Sequence, residues 1–369
     1  MTKIVIFSGA RADIGLLSPL ILKLKKKCKV YLVNCNMHMN KIFGDTSFEI
    51  KKLKLNKIFY VNNLPKNQFN FEISNSVGKG ILQINNIIKK IKPTGAVILG
   101  DRYEMLSCAI SSFFLRIPIF HINGGEITHG SLDDNIRNSI SHFSDYHFAP
   151  TKKSALRLKK ILIDKKKIFN SGSIGASNAK NVIFNKKNYF KKKYNIKFQK
   201  KNILITVHPE KNFDIELNQV KNFLNILKDF KNVYKIFTSS NSDAHGIGIN
   251  NLIERYIQKD KNSILIKSFG KDDYLSIMNH INCVVGNSSS GIIEAPVLKK
   301  PTLNIGKRQL GREMASSIIN SSFDKSEMSI KLDKILNKEI KKKIYSPYYK
   351  KNTINFISNK IIKNLNEKI

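Results

Sequence analysis

The chain has 369 residues, 41% of them apolar, and a formal net charge of +37 from 64 Lys and Arg against 27 Asp and Glu. This length and apolar content predict two or three domains with cores of their own, and they exclude a small disulfide scaffold and a disordered tail. The sequence has no run of about 18 apolar residues and no signal-peptide layout, so we expect a soluble protein of the cytoplasm.

Short apolar runs alternate with amphipathic stretches along the first half of the chain. Helical patterns cover residues 16–26, 81–91 and 104–114. Continuous apolar runs with helices between them are typical of a parallel sheet covered on both faces, and they predict a doubly wound α/β domain. The predicted strands of this half are 4–7, 30–34, 58–61, 96–99, 118–122 and 146–149.

The second half repeats this pattern after a polar, Lys-rich stretch at 178–201, which we interpret as a linker with helical pieces. Two Rossmann-like domains in tandem bind ligands at the carboxyl ends of their strands, so we expect the site in an interdomain cleft. The predicted strands of this half are 203–207, 234–238, 264–266, 283–286 and 302–305.

The positive charge comes from lysines scattered along the chain, because only 8 of the 64 basic residues are Arg. Nucleic-acid readout relies on Arg forks and stacked aromatic residues, so this pattern favours a solvated surface, and we expect no nucleic-acid or membrane partner. Arg suits two-point binding of phosphate or carboxylate. Five of the eight lie at strand-end junctions: Arg11, Arg102, Arg137, Arg308 and Arg312.

No metal site is expected from the spacing of cysteines and acids. The four cysteines are scattered without a CxxC pair, which favours buried thiols in a reducing compartment. The adjacent acids Asp133 and Asp134 point apart on a helix, which disfavours a divalent cation there.

The first two junctions follow the first and fourth predicted strands. Residues 8–15 (SGARADIG) open a helix, so this junction, which includes Arg11, is either a phosphate or sugar loop or a plain tight turn. It lacks the GxGxxG pattern and the acid about 20 residues later that mark NAD binding. At residues 100–104 (GDRYE), Asp101 is a cleft carboxylate beside Arg102, an N-cap paired with Glu104, or both, because the two roles can coexist.

The third junction comprises residues 121–126 (HINGGE) and 133–138 (DDNIRN). Paired glycines indicate an unusual backbone at the strand end. Arg137 lies four residues after Asp133 and so on the same helical face. The density of acids together with an Arg indicates chemistry rather than packing.

The fourth junction, residues 286–294 (GNSSSGIIE), combines a strand, a Ser and Gly loop and a helix start, which suits a diphosphate. Glu294 lies one turn into that helix, where it can accept ribose hydroxyls. Residues 301–312 (PTLNIGKRQLGR) follow, and His208 lies at the end of strand 203–207.

In this order and spacing, GDRYEM, HINGGE, DDNIR, GNSSSG and GKRQLGRE resemble the hydrolysing UDP-N-acetylglucosamine 2-epimerase family of sialic and legionaminic acid biosynthesis. The resemblance covers nearly the whole chain. It implies a GT-B fold with a Rossmann-like domain at 1–177 on the sugar side and another at 178–345 on the diphosphate side. A helical segment at 346–369 is expected to cross back to the first domain. The resemblance also suggests a homo-oligomer, a dimer or tetramer.

The resemblance further implies the reaction. UDP-N-acetylglucosamine loses its C2 proton and UDP in an elimination that leaves a glycal. Water then adds, and N-acetylmannosamine leaves with the opposite C2 configuration. Carboxylates can stabilise the developing ring cation and move protons, while Arg and the serine loop stabilise the leaving diphosphate, so no cofactor is expected.

Matched to the family motifs, Asp101 and Asp133 fall at positions of catalytic acids, and Arg137 and His208 at other active-site positions. Where many members have an acid in HIEGGE, this chain has Asn123, which cannot transfer a proton as a carboxylate does. Either that acid is dispensable, Glu126 substitutes for it, or the activity is altered. Expected substrate-binding residues are Arg11, His38 (in the loop resembling GMHL), Arg102, Ser288, Ser289, Ser290, Gly291, Glu294, Arg308 and Arg312.

Three alternatives remain at this point. The sugar can instead be a 2,4-diacetamido-2,4,6-trideoxy hexose linked to UDP or GDP, as in legionaminic acid synthesis. A GT-B glycosyltransferase uses a similar nucleotide-sugar cradle but releases UDP only with an acceptor present. A nucleic-acid-binding protein is motivated by the charge of +37 alone.

Overall fold

The computed structural model describes residues 2–35, 47–65, 70–129, 133–210, 213–240, 246–337 and 344–367. The chain divides into two compact units. The first comprises Met1–Ile127, Leu132–Asn178 and Tyr348–Ile369, and the second comprises Thr128–Ser131 and Ala179–Pro347.

The first unit contains a seven-stranded parallel sheet with the order β3-β2-β1-β4-β5-β6-β7. Apolar side chains lie on both faces of its central strands, as in β1, where Ile4, Val5, Ile6 and Phe7 are fully buried. Helices cover both faces, which explains the continuous apolar runs of the sequence. The strands are β1 (Lys3–Ser8), β2 (Lys29–Cys35), β3 (Ile58–Val61), β4 (Gly95–Leu99), β5 (Ile119–Ile122), β6 (Tyr146–Ala149) and β7 (Ile168–Asn170).

The helices of the first unit follow its strands and include one interior proline. Pro19 has no N–H for the carbonyl of Gly15, and the Ser18 hydroxyl donates to that carbonyl instead (3.1 Å). The helices are α1 (Arg11–Lys25), α2 (Ser47–Lys52), α3 (Asn70–Ile91), α4 (Tyr103–Phe114), α5 (Asp133–Phe143), α6 (Lys152–Ile161) and α7 (Ile174–Asn181, whose last residues lie in the second unit).

The last helix of the chain, α14 (Thr353–Asn366), belongs to the first unit. Its buried residues Ile357, Ile361 and Leu365 recur every four positions, so they form one apolar stripe. This stripe packs with α1 in the core of the unit. The Thr353 hydroxyl also donates to the carbonyl of Ser171 (2.9 Å), which fixes the start of the helix.

The second unit contains a six-stranded parallel sheet with the order β10-β9-β8-β11-β12-β13. The strands are β8 (Lys201–Thr206), β9 (Val233–Thr238), β10 (Ser263–Ile266), β11 (Cys283–Gly286), β12 (Thr302–Ile305) and β13 (Ile318–Ser321). The helices are α8 (Lys187–Tyr194), α9 (Phe213–Leu227), α10 (Gly246–Ile257), α11 (Lys271–His280), α12 (Ser290–Ile293) and α13 (Lys325–Asn337).

The prediction of two doubly wound parallel-sheet domains of the GT-B class is confirmed, since both sheets have the order 3-2-1-4-5-6 at their core. Every predicted strand is present within one or two residues. The edge strands β7 and β13 were not predicted, because Ile168–Asn170 and Ile318–Ser321 are short and end in polar residues. The four cysteines are free thiols and all are buried. No helix in the described part of the chain is long and apolar enough to cross a membrane.

Candidate active site

Each sheet has one point where the strand order reverses, and the functional candidates lie beside these two points. In the first unit the order reverses between β1 and β4, and in the second unit between β8 and β11. Loops diverge there, so the carboxyl ends of the two strands leave a crevice in which open α/β sheets bind ligands. The junctions at residues 8–15 and 100–104 flank the first point, and His208 and residues 286–294 flank the second.

Arg137 is the centre of the acidic group in the first unit. Its side chain, on α5, is 1% exposed. Nε and Nη2 both donate to Oδ2 of Asp101, with the Nε bond at 2.9 Å, and Nη1 donates to Asp134 Oδ1 (2.7 Å) and to the carbonyl of Glu126 (2.9 Å). Burial opposes the charged guanidinium, but the carboxylates of Asp101, Glu126 and Asp134 outweigh it and raise the pKa of Arg137. Arg137 therefore stays a cation and holds three segments together.

The N-cap alternative for Asp101 is wrong. Helix α4 starts at Tyr103 with Arg102 as its N-cap, so Asp101 lies one residue before the N-cap position. The carboxylate of Asp101 turns to Arg137 because a buried guanidinium offers stronger, charge-assisted hydrogen bonds than backbone N–H groups.

Three further residues predicted at this site, Asp133, Glu126 and Asn123, belong to the same unit as Arg137. Asp133 starts α5 and is partly buried, while its neighbour Asp134 forms the ion pair with Arg137. Glu126 is 5% exposed. Asn123 has φ +68°, a left-handed conformation that Asn tolerates, and its Oδ1 is a buried atom without a hydrogen-bond partner in the described part of the chain.

The first junction is closed by its own acid. The N–H groups of Gly9 and Ala10, which a phosphate loop would offer to an anion, donate to Asp13 Oδ2 at 2.9 and 2.8 Å. Burial raises the pKa of Asp13 to about 6, against the opposing effects of Arg102 and the two N–H groups. The interpretation as a tight turn therefore describes this backbone better than a phosphate loop.

For two of the predicted binding residues, Arg11 and His38, the structure does not describe the side chain. Arg11 is the first residue of α1, and its side chain lies outside the described part, as does all of His38. Arg102 forms an ion pair with Glu104, with 2.8 Å between Nε and Oε1, and the Glu104 side chain is fully buried. This pair holds the Nε of Arg102 beside the loop of Gly9.

In the second unit, Asn287 ties the end of β8 to the end of β11. Its Oδ1 accepts the His208 N–H (2.7 Å) and its Nδ2 donates to the His208 carbonyl (2.8 Å), so both polar atoms of the amide hold one residue. His208 is 7% exposed, and its Nδ1 lies 3.4 Å from Ser240 Oγ. The carbonyl of Asn287 accepts from Arg308 Nη1 (3.3 Å) and Gln309 Nε2 (2.8 Å).

Glu210 fastens the turn that carries Arg308. Its Oε1 accepts the N–H groups of Lys307 and Arg308 at 2.9 and 3.1 Å. Gly306, just before them, has φ +78°, and a Cβ there would overlap the same oxygen. Successive N–H groups after a left-handed residue form an anion-binding nest, and here a side-chain carboxylate fills it.

The serine loop forms a chain of hydroxyls. Ser290 Oγ lies 3.1 Å from Ser288 Oγ and 2.6 Å from the Tyr274 hydroxyl. Ser289 precedes α12, whose first turn contains the buried Gly291, and Glu294 ends this helix with 9% of its surface exposed. Arg312 follows in the turn after β12, with its N–H on the carbonyl of Gln309 (3.2 Å).

The structure brings the predicted residues together in two groups, one in each unit. The first contains Asp101, Arg137 and the carbonyl of Glu126, and the second contains His208, Arg308 and the serine loop. Sequence analysis missed Asp134, Glu210, Asn287 and Gln309 as partners of these groups. Asp134, Asn287 and Gln309 lie inside motifs quoted from the sequence, but only Asn287 carried a local signal for its partner, because an Asn directly after a strand end often bonds nearby backbone.

A family model for UDP-N-acetylglucosamine 2-epimerase matches residues 21–363 of this chain. The chain belongs to the UDP-N-acetylglucosamine 2-epimerase family. The family resemblance predicted from the motifs is thereby confirmed.

Relatives of this chain include enzymes named for two different nucleotide-sugar substrates and a protein named for polysialic acid biosynthesis. A GDP/UDP-N,N'-diacetylbacillosamine 2-epimerase (hydrolyzing) of Campylobacter jejuni is 35% identical over 92% of this chain and 88% of its own. Polysialic acid biosynthesis protein P7 of Escherichia coli is 30% identical over 96% and 92%. A UDP-N-acetylglucosamine 2-epimerase of Neisseria meningitidis is 29% identical over 88% and 85%.

Solved structures share the fold over the whole chain. UDP-GlcNAc 2-epimerase from Neisseria meningitidis, bound to UDP-GlcNAc, matches with a TM-score of 0.80 at 16% identity, over 99% of this chain and 100% of its own. The enzyme of Methanocaldococcus jannaschii, in complex with UDP-GlcNAc and UDP, matches with a TM-score of 0.80 at 20% identity, over 98% and 100%.

Proposed function

We propose that this protein is a hydrolysing 2-epimerase that converts UDP-N-acetylglucosamine and water to N-acetylmannosamine and UDP. The observation that carries the proposal is the Asp101–Arg137–Asp134 cluster at the point where the strand order reverses, in a chain of this family. Such a cluster presents fixed carboxylates in a crevice without depending on a metal or redox group.

The first step is an elimination. A carboxylate removes the proton from C2, the bond between C1 and the diphosphate oxygen breaks, and UDP leaves with that electron pair. Since the C2 proton is weakly acidic, positive charge develops on the ring early, as in glycoside hydrolysis. We assign to Asp101, which forms an ion pair with Arg137, the role of stabilising that charge or taking the proton.

The second step hydrates the glycal. Water supplies hydroxide to C1, and an acid delivers a proton to C2 on the face opposite to the one that lost it. We take Glu126 and Asp133 as the candidates, because they are the other acids of the motifs HINGGE and DDNIR whose family positions point to catalysis. Asn123 has no proton to transfer, so we assign the protonation to one of these two acids rather than to residue 123.

The group in the second unit suits the leaving diphosphate. Arg308 brings a guanidinium, the serine loop brings hydroxyls, and His208 lies at the end of β8 with its backbone locked by Asn287. We propose that these residues stabilise the charge on UDP as it departs, with Glu294 at the ribose and Arg312 beside the diphosphate. The assembly into a homo-oligomer stays a prediction.

The proposal is tested by incubating the protein with UDP-N-acetylglucosamine in deuterated water and identifying the sugar by NMR. Release of N-acetylmannosamine with deuterium at C2 is expected. N-acetylglucosamine without deuterium would show simple hydrolysis, and UDP release only with an added acceptor would show a glycosyltransferase; either result would exclude the proposal.

A second candidate substrate is the UDP- or GDP-linked 2,4-diacetamido-2,4,6-trideoxy hexose. The 35% identical relative of Campylobacter jejuni, a GDP/UDP-N,N'-diacetylbacillosamine 2-epimerase, favours it. The same incubation with each nucleotide sugar separates the two, because the preferred substrate has the higher kcat/KM.

A further inference from the structure

Asp101 and Arg137 are connected a second time through His121. This imidazole, on β5, is fully buried. Its Nε2 lies 2.8 Å from the carbonyl of Gly100, the residue before Asp101, and its Nδ1 lies 3.1 Å from Ser141 Oγ. Ser141 is itself fully buried and lies four residues after Arg137, on the same face of α5. The contacts close a ring that runs through β4, β5 and α5.

The hydrogen bonds define the tautomer of His121. A carbonyl only accepts, so Nε2 carries the proton and donates it to Gly100, and Nδ1 accepts from the Ser141 hydroxyl. Burial lowers the pKa of His121 to about 4; the hydrogen bond to Gly100 and the charge of Asp101 oppose this shift, and the charge of Arg137 adds the smallest effect. The ring is therefore neutral near pH 7 and serves as a hydrogen-bonding bridge rather than a proton donor.

Gly124 leaves room for this bridge. A Cβ at residue 124 would lie 3.0 Å from His121 Nδ1 and 3.0 Å from Ser141 Oγ, tighter than nearly all real contacts of that kind. Any larger residue would push the imidazole and the hydroxyl apart. The first glycine of the HINGGE motif, Gly124, therefore has no side chain because the contact between His121 and Ser141 needs that space.

We propose that His121 is a positioning residue of the epimerase reaction, which holds the end of β4 and helix α5 in register so that the Asp101 carboxylate stays on the Arg137 fork. The inference rests on the proposed function for its kinetic consequences, but its geometric consequences are independent of it. A misplacement of about 1 Å in a reacting group commonly costs about 10²-fold in rate, so a buried bridge of this kind matters for turnover.

A neighbouring histidine supplies the matched control. His147 on β6 is in register with His121 and is 3% exposed. Burial lowers the pKa of His147 to about 3, and its Nδ1 has no hydrogen-bond partner in the described part of the chain. If His121 served only to pack the core, substitution of His121 and substitution of His147 would change kcat equally.

Two amide variants separate the two arms of the bridge. In His121→Gln the amide N–H reaches the Nε2 position and keeps the bond to Gly100, whereas in His121→Asn the amide oxygen reaches the Nδ1 position and keeps only the bond from the Ser141 hydroxyl. We expect kcat to fall about 10- to 10²-fold in His121→Asn and less than about 5-fold in His121→Gln. KM and the Kd for UDP should stay within about 3-fold, and His147→Gln should lower Tm without lowering kcat.

Two measurements on the whole protein need no turnover. ¹⁵N NMR of the wild type at pH 7 should show His121 protonated on Nε2 alone, and a crystal structure of His121→Asn should show the Asp101 carboxylate displaced from Arg137. An imidazolium, the Nδ1–H tautomer, an unmoved carboxylate, or equal kcat in His121→Asn and His147→Gln would overturn the proposal. A wild type inactive on both nucleotide sugars would overturn the proposed function instead and leave these two measurements to decide the role of His121.

Discussion

Arg137 donates through both Nε and Nη2 to one oxygen of Asp101, although the two residues are 36 positions apart in the chain. Its third nitrogen binds Asp134 and the carbonyl of Glu126. Because this guanidinium is almost fully buried, the geometry of the acids depends on the planar fork of an arginine.

Arg137→Lys is expected to lower kcat by about 10²-fold. Lysine keeps the charge but has a single nitrogen, so it cannot span Asp101, Asp134 and Glu126 together. The measurement is the initial rate of UDP release. Arg255→Lys, on the exposed side of α10, is the matched control and should retain the wild-type rate. Equal rates in the two variants would contradict a requirement for the fork.

Asp101→Asn and Asp133→Asn are each expected to lower turnover by about 10²-fold or more, a typical loss for acid–base groups. Asp134→Asn, one residue along α5, should lower it less, because Asp134 orients Arg137 rather than moving a proton. Thermal unfolding shows whether each variant is folded. Near-normal rates in the first two variants would remove both acids from the catalytic assignment.

Gly306→Ala should raise KM for the nucleotide sugar and destabilise the fold by about 1 kcal/mol or more, because φ is +78° and the new methyl group overlaps Glu210. Gly78→Ala is the control. A Cβ at Gly78 meets nothing within 4 Å inside α3, so this change should stabilise the protein by about 0.5–1 kcal/mol. KM and urea unfolding are measured for both; an unchanged KM in Gly306→Ala would show that the turn does not serve binding.

Asp13→Asn should change how stability depends on pH. Burial raises the folded-state pKa of Asp13 from its ordinary 3.8 to about 6, so the folded state binds this proton more tightly than the unfolded state. The contribution of Asp13 to stability is therefore full below about pH 3.8 and is lost as pH rises through 6. Relative to the wild type, Asp13→Asn should thus gain stability from pH 4 to pH 7 in urea unfolding.

Asp164→Asn is the control for this pH dependence, because the shift there has the opposite sign. A hydrogen bond from Lys167 holds the pKa of the exposed Asp164 below its usual value, so its contribution is lost as pH falls. A difference of the same sign in the two variants would contradict the assignment of the effect to Asp13.

Much of the fold was predictable because its signals are local. The apolar run Cys283–Gly286 matches an observed central strand residue for residue, since a buried parallel strand needs apolar side chains on both faces. The strands Ile168–Asn170 and Ile318–Ser321 lie at sheet edges, where one side has no neighbouring strand. Polar side chains can reach water there, so these strands need fewer apolar residues. The domain boundaries at 177 and 345 stay a prediction.

The sequence predicted which strand ends carry the candidate site, but it did not predict which residues are hydrogen-bonded to one another there. The junctions after strands 96–99 and 283–286 were predicted to carry chemistry, and both follow strands at the points of order reversal. The Asn287 amide on His208 and the Glu210 carboxylate on the turn of Arg308 were not predicted, because each joins residues from distant parts of the chain.

The amino-acid sequence by itself determined the α/β class, the family and the strand ends that carry polar side chains, because periodicity and short motifs are properties of neighbouring residues. Only the tertiary structure decided that Asp13 occupies the N–H groups of the first loop, that Asp134 and Asp101 bind Arg137 together, and that His121 bridges Gly100 and Ser141. Burial is the physical reason: a polar group taken out of water must find a partner, and packing selects which one lies within reach.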